Sequence, residues 1–392
     1  MKVFDRIRDS QQLRDDERMF VDVVRDLVRD KIAPRAEGYD RDEAFPWDNV
    51  RDMNALGLNA VFIPADYGGV ELSYGCYLML VEEISKGCAS TGVIWATNFH
   101  GIKPVIDFGT DEQKRRFLPP IADGGLVSLA ITEETGGSDA TQMRTSFRPD
   151  GDEIVVNGTK IFITNGDVAD LHLLFGKWKE IEDPRRAISA VVVEKGTPGL
   201  RVGRKEEKLG HRASSTVELV FEDCRVPRRN LIGAPGDGLS ILFGALNTSR
   251  PSVAAQALGI ARAAFDDGVA YINQREAFGR RVINFQGIQF MVADMAARLA
   301  MTEAWMFHVA RLLESGVSDV AIEASILKLS ASDLAMEIAS NAVQLHGGYG
   351  YIKGARVERL FRDAKLTQIW EGTNQIQRVH IGRAFVERKN GR

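Results

Sequence analysis

Ile369-Trp370-Glu371-Gly372-Thr373-Asn374-Gln375-Ile376-Gln377, near the end of a 392-residue chain, sets an acid between an indole and a glycine. The glycine lets the backbone turn where other residues resist. Apolar surface beside the Glu371 carboxylate would push its pKa upward by desolvation, which suits a general base facing a weakly acidic proton. Thr373, Asn374 and Gln375 add neutral hydrogen-bonding groups before an amphipathic run through Ile376, Val379 and Ile381. On spacing alone the same residues also read as a helix start, with the acid as a cap or a solvated charge.

On either side of this stretch the helix period dominates. Alanine-rich runs with one apolar stripe cover about 240–273, 285–315, 318–345 and 375–388. Helices of ~25–30 residues span about 40 Å, the length of a large bundle. His346-Gly347-Gly348 closes one run with a glycine stop. Gly233, Gly236 and Gly238 read as a flexible loop ahead of the first. Further upstream, Asp150-Gly151, Asn157-Gly158 and Asn165-Gly166 are turn dipeptides between short β-prone runs: Ile154–Val156, Lys160–Thr164, Leu171–Phe175, Ile188–Val193 and Val217–Phe221. In the first third, residues 15–33 pattern as a helix through Met19, Val23 and Leu27 and through Phe20, Val24, Val28 and Ile32, with Pro34 as its stop. Helical patterns follow near 48–56, 72–87, 90–108 and 111–122. The expected class is α+β: a helical domain over 1–126, a β-sandwich or barrel over 127–235 and a helix bundle over 236–392.

The bulk properties narrow the field. Hydrophobic residues make up 44% and charged residues 27%, with a net charge of -4. With the signs interspersed, no basic face for nucleic acid is expected. No run of ~20 apolar residues suggests a membrane span. Cys76, Cys88 and Cys224 lack the number and spacing of a disulfide framework or zinc site, so no metal is expected. Residues 1–18 mix charges of both signs without an apolar segment, so neither a secretory signal nor a transit peptide is expected, and the cytoplasm is the expected compartment. Gly-x-Gly-x-x-Gly, the phosphate loop, His-Glu-x-x-His and Gly-x-Ser-x-Gly are all missing, which removes support for the common nucleotide, zinc-hydrolase and serine-hydrolase sites. The six histidines are scattered, and His100 and His346 read as structural groups.

Two other stretches can carry chemistry. In Leu129-Ala130-Ile131-Thr132-Glu133-Glu134-Thr135-Gly136-Gly137-Ser138-Asp139, an apolar strand opens into Gly-Gly-Ser, whose N–H groups and hydroxyl suit a pyrophosphate or carbonyl. A glycine turn followed by a Ser-Asp cap explains it equally. In Phe162-Ile163-Thr164, strand period places a ring and a hydroxyl on one face, suited to a flat ligand or to an ordinary half-buried strand.

Taken in order, these stretches resemble the acyl-CoA dehydrogenase family over nearly the whole chain. The likeness extends to Arg250-Pro251, Arg275-Glu276-Ala277-Phe278-Gly279, Phe285-Gln286, Gln344-Leu345-His346-Gly347-Gly348-Tyr349-Gly350 and Arg362-Asp363-Ala364-Lys365. The resemblance implies an FAD enzyme that desaturates an acyl-CoA thioester at the α,β bond, usually a homotetramer of paired dimers, with electron-transfer flavoprotein as electron acceptor. It implies that Leu129, Ile131 and Thr132 lie along the flavin. Gly137 and Ser138 would sit by the pyrophosphate and the mouth of the substrate channel, and Phe162 and Thr164 would flank the ring. Arg275, Phe278, Gln286, Gln344 and Gly348 would reach FAD held mainly by a neighbouring subunit. Thr373 and Gln375 would meet its ADP part. Glu371 matches the family's catalytic base, whose backbone N–H also binds the thioester oxygen. Ser138, Asn247, Arg250 and Gly372 fall at substrate-contact positions, and Trp95 and Phe99 lie on the helix matching the far end of the acyl cavity. Some members carry the base where this chain has Ser249. Glu134 and Thr135 depart from a common Pro-Gly, and Phe162 from a common Trp. The bulky Trp95, Phe99 and His100 favour a short, branched or cyclic acyl group, unless the two aromatic rings face the domain core instead. An oxidase or a reductase on the same fold, or a non-catalytic helical scaffold, are the alternatives.

Overall fold

The computed structural model describes residues 2–11, 13–317 and 319–386. The first helices are α1 (Lys2–Asp9), α2 (Asp15–Leu27), α3 (Ala33–Asp42), α4 (Trp47–Ala55), α5 (Tyr74–Gly87), α6 (Ala89–Phe108) and α7 (Asp111–Ala122). Pro34 does not stop the first long run. A π-helical turn, Val28–Ile32, links α2 to α3, and Pro34 falls in the first turn of α3, where its missing N–H costs nothing. Val24, Val28 and Ile32 form the buried row, whereas Met19 and Val23 face outward. The short α1 docks through Phe4, edge-on to Phe265 at 6.3 Å, and through Arg8, whose guanidinium lies among Glu82, Glu83 and Glu303.

Next come eight strands: β1 (Val127–Ala130), β2 (Ser146–Asp150), β3 (Glu153–Thr164), β4 (Leu171–Trp178), β5 (Ile188–Glu194), β6 (Leu200–Lys205), β7 (Thr216–Pro227) and β8 (Leu231–Ile232). They form one mixed sheet in the order β6-β7-β3-β2-β4-β5-β8, with β1 parallel to β4 (Val127 opposite Leu171). Leu171, Leu173 and Phe175 pack toward α6 and α7, while Leu174 and Trp178 join Phe147, Ile163, Val217 and Phe221 in the sheet's own core. Asn157-Gly158 is not a turn. It lies inside the single strand β3 at a register shift against β7, where Gly158 (φ 151°) is pressed against Thr145 so closely that a Cβ would clash.

The remaining elements are α8 (Gly238–Gln274), a hairpin β9 (Glu276–Ala277) and β10 (Arg280–Arg281), α9 (Gln286–Glu314), α10 (Ala321–His346), α11 (Arg356–Thr367) and α12 (Asn374–Ala384). Ser318 and residues 387–388 of the expected helical runs lie outside the described residues. The pairing of α8 with α10 forms the spine of this region, and α5 and α6 also pack against α8. Residues 368–373, the link between α11 and α12, lie beside α10.

Candidate active site

Glu371 and Gly372 are consecutive left-handed residues, φ 52° and 89°, so the chain bends sharply between α11 and α12. One end of the bend is tied to α10. Gln368 Nε2 and Asn374 Nδ2 both donate to Asp333 Oδ1 at 2.7 Å, and Asn374 Nδ2 also reaches Ser332 Oγ at 2.9 Å. The wholly buried Lys328 donates from Nζ to the Gly372 carbonyl at 2.8 Å and to Asn374 Oδ1 at 2.9 Å. Thr373 caps α12, its hydroxyl accepting from the Ile376 N–H at 3.4 Å.

Glu371 itself is half-buried, and its Oε2 accepts from Ser249 Oγ on α8 at 2.7 Å. The position that could have carried a second carboxylate therefore carries a donor to the first. Among the described residues the Glu371 backbone N–H has no acceptor. Trp370 lies between His100 of α6 and His211 of the β6–β7 loop, at ring distances of 6.4 and 6.5 Å. His211 is fixed to α11 by its N–H and ring on Asp363. All three regions thus meet at this indole.

Charge in this site is costly. Burial holds His100 below its ordinary pKa, with Glu371 opposing. Burial pulls Lys328 down to about 7, again against Glu371. Arg250, 3% exposed, has among the described residues an unpartnered Nε and one long contact, to Ser325 Oγ at 3.4 Å; burial works against its charge and Glu371 partly offsets this. Asn247 is half-buried on the same helix.

Trp95 and Phe99 are both buried in the core shared by α5, α6 and α8. Phe99 packs against Tyr77 with ring centroids 4.4 Å apart, Trp95 against Tyr77 at 5.3 Å, and Tyr77 Oη meets Ser252 Oγ of α8 at 3.0 Å. The aromatic group stands on the α8 face that also carries Ser249.

A second group gathers at the sheet. Asn165 donates to the carbonyls of Ile94 and Val127, at 3.1 and 3.2 Å, which pins the end of β3 to α6 and β1. Leu129, Ile131, Thr132 and Thr164 are half-buried there, and the two threonine hydroxyls have no protein partner among the described residues. Phe162 is 58% exposed at φ 59°, in a bulge between Lys160 and Ile163, so strand period alone does not set its direction. Gly137 and Ser138 are exposed, and Asp139 rather than Ser138 provides the cap, its Oδ1 accepting from the Thr141 N–H at 3.0 Å.

Sequence reading missed what holds this loop. Lys160 Nζ, wholly buried, donates to Glu133 Oε1 at 2.7 Å and to the Ile131 carbonyl at 2.8 Å. Glu133 also accepts the N–H groups of Arg144 and Thr145. Burial pulls Lys160 to about 8, against the pull of Glu133. Strand alternation gave no hint that this lysine points inward, nor did helix period mark Lys328.

A third group lies apart. Arg275, Gln344 and Gly348 line one groove of about 590 Å³ with Tyr271, Val282 and Tyr349. Phe278 stands 96% exposed on the tip of the β9–β10 hairpin, at φ 51°, with its ring edge-on to Phe285 at 6.2 Å, beside the exposed Gln286 at the start of α9. Gln375 is exposed on α12.

The residues fit FAD. Exposed ring, aliphatic side chains and unspent hydroxyls at the sheet suit a flat heterocycle with polar edges, and Arg275 in an open groove suits a phosphate. Family models for the N-terminal, middle and C-terminal acyl-CoA dehydrogenase domains match residues 14–125, 128–224 and 236–386. An acyl-CoA dehydrogenase of Bacillus subtilis is 44% identical over 92% of this chain and 95% of its own length. Cyclohex-1-ene-1-carbonyl-CoA dehydrogenase of Geobacter metallireducens is 42% identical over 96% and 99%. The structure of butyryl-CoA dehydrogenase from Megasphaera elsdenii superposes with a TM-score of 0.93 at 36% identity, covering 96% of this chain and all (100%) of that one. The chain belongs to the acyl-CoA dehydrogenase family of oxidoreductases.

Proposed function

We propose that the protein removes two hydrogens across the α,β bond of a short, branched or cyclic acyl-CoA thioester, with Glu371 as the base. The observation that carries this reading is the pairing, on one residue, of a carboxylate and an unspent N–H. An α-proton next to a thioester is too weakly acidic for a carboxylate in water, so the thioester oxygen must be stabilised as charge develops on it. The Glu371 N–H, without an acceptor among the described residues, would meet that oxygen, and the side chain would take the proton from the carbon next to the same carbonyl. Ser249 orients the carboxylate through Oε2 and leaves Oε1 for the proton. As the α C–H bond breaks its electron pair forms the C=C bond, and the β-hydrogen departs with its own pair. FAD, when bound, supplies the acceptor for that hydride. Thr132, Thr164, Leu129, Ile131 and Phe162 are assigned to its ring, and Gly137 and Ser138 to the pyrophosphate and channel mouth. Arg275, Phe278, Gln286, Gln344 and Gly348 are assigned to FAD of a neighbouring subunit in a homotetramer, and Thr373 and Gln375 to its ADP part. Electron-transfer flavoprotein is the proposed oxidant of the reduced enzyme.

Trp95 and Phe99 pack into the domain core against Tyr77, beside the α8 face that carries Ser249, so they support the acyl preference only if that core bounds the acyl site. The names of the cyclohexene-carbonyl and butyryl relatives agree with a small acyl group. An anaerobic panel of straight, branched, cyclic and dicarboxylic CoA thioesters, read by bleaching of the flavin, tests it. Small monocarboxylic thioesters should bleach fastest. Fastest bleaching by palmitoyl-CoA would overturn the small-acyl reading, and bleaching by none of them would overturn the activity.

A further inference from the structure

Lys328 is wholly buried on α10, yet among the described residues its ammonium bonds no carboxylate. Its two partners are the Gly372 carbonyl oxygen and the Asn374 side-chain oxygen, at 2.8 and 2.9 Å. A buried cation with only neutral partners is expensive, and such a group survives where it holds something in place. The nearby charges are Glu371 and Asp333, which favour the ammonium, and Arg250, which opposes it.

What Lys328 holds is the left-handed bend. Glu371 at φ 52° holds a side chain in the left-handed region that residues other than glycine resist, so the bend needs ties to keep it. Two donors converge on the Gly372 carbonyl, Lys328 Nζ and, at 2.9 Å, Gln377 Nε2. Asn374, the other partner of Lys328, is itself clamped by Ser332 and Asp333.

We propose that Lys328 is a positioning residue for proton abstraction: its hydrogen bond to the Gly372 carbonyl locks the bend that aims the Glu371 carboxylate and N–H at the thioester. The proposal rests on the reading of Glu371 as the base. Misplacing a reacting group by about 1 Å can cost on the order of 10²-fold in rate, so the loss should fall on turnover and not on binding.

The test compares holoenzymes of Lys328→Met, Lys328→Gln, Gln377→Leu and Glu371→Gln, using the fastest of butyryl-, isobutyryl- and cyclohexanecarbonyl-CoA. Lys328→Met should lower kcat about 10²-fold with KM within about threefold and FAD still bound, and Lys328→Gln, which keeps a donor, should recover part of the loss. Gln377→Leu removes the other donor to the same carbonyl and should lower kcat about tenfold; it decides the matter if Lys328→Met does not fold. A kcat within about threefold of wild type in these variants, or a loss confined to KM, would overturn the positioning role. If Glu371→Gln alone keeps full turnover, it is the base assignment that fails.

Discussion

Burial holds His100, His172 and His211 below the ordinary histidine pKa, and His172 shows the consequence most simply. It is a residue of β4, with Nδ1 2.8 Å from Ser128 Oγ, 2% exposed, and burial lowers it from 6.5 to about 4. Above pH 6.5 both the folded and unfolded chains leave the ring neutral. Below that the unfolded chain takes a proton that the folded one refuses, so stability present above pH 6.5 is lost as pH falls toward 4. At roughly 1.4 kcal/mol per pH unit, that is about 3 kcal/mol over the window. His172→Gln, which keeps a partner for Ser128, should lose about 2–3 kcal/mol less than wild type between pH 7 and pH 4.5, measured by urea unfolding. Parallel losses would show that His172 does not carry the acid sensitivity. Residues of this kind are poorly legible in sequence. Glu371 stood out because a motif surrounds it. Lys328 and Lys160 looked like any helix or strand lysine, because their burial is decided by partners, Gly372 and Glu133, that lie 44 and 27 positions away.

Elements were read more easily than their irregularities. The long helices of the last third announce themselves because one apolar stripe persists for many turns, as Ala257, Ile260, Ala261 and Ala264 do on α8. The eight-residue α1 was not seen, since its docking depends on Phe4 and Arg8 meeting distant helices. α11 lacked a long stripe and was known only through the Arg362–Lys365 motif. Pro34 and Asn157-Gly158 misled in the same way: each is a local breaker, absorbed by a π turn in one case and a bulge in the other. For α6 the open question was the phase of Trp95. Its ring lies in the core shared with Tyr77, on the α8 face that carries Ser252 and Ser249. Trp95→Ala should lower stability by about 3–5 kcal/mol. If the ring also floors the acyl site, the ratio of kcat/KM for octanoyl-CoA to that for butyryl-CoA should rise about tenfold, in line with ~1–3 kcal/mol for a pocket of changed depth. Lower stability with an unchanged ratio would leave Trp95 as core alone.

At the scale of the molecule, the order helices, sheet, helix bundle was legible because the hydrophobic period switches near Val127 and again near residue 240. How the three regions meet was not, because no single stretch encodes it. α6 touches β1 through Gly101, where a Cβ would stand 2.5 Å from Val127, and the β6–β7 loop touches α11 through Gly210, where a Cβ would strike the Arg362 backbone. Trp370 fills the junction between them, and Glu371 follows it into a place that α6, α8 and α10 reach through His100, Ser249 and Lys328. The central claim is that this carboxylate takes the α-proton, and the most direct measurement is the rate of flavin bleaching by the best thioester in a single anaerobic turnover, wild type against Glu371→Gln. The variant should retain FAD and its fold and bleach slower by at least ~10²–10⁴-fold, the usual contribution of a general base; bleaching within about tenfold of wild type would contradict the assignment.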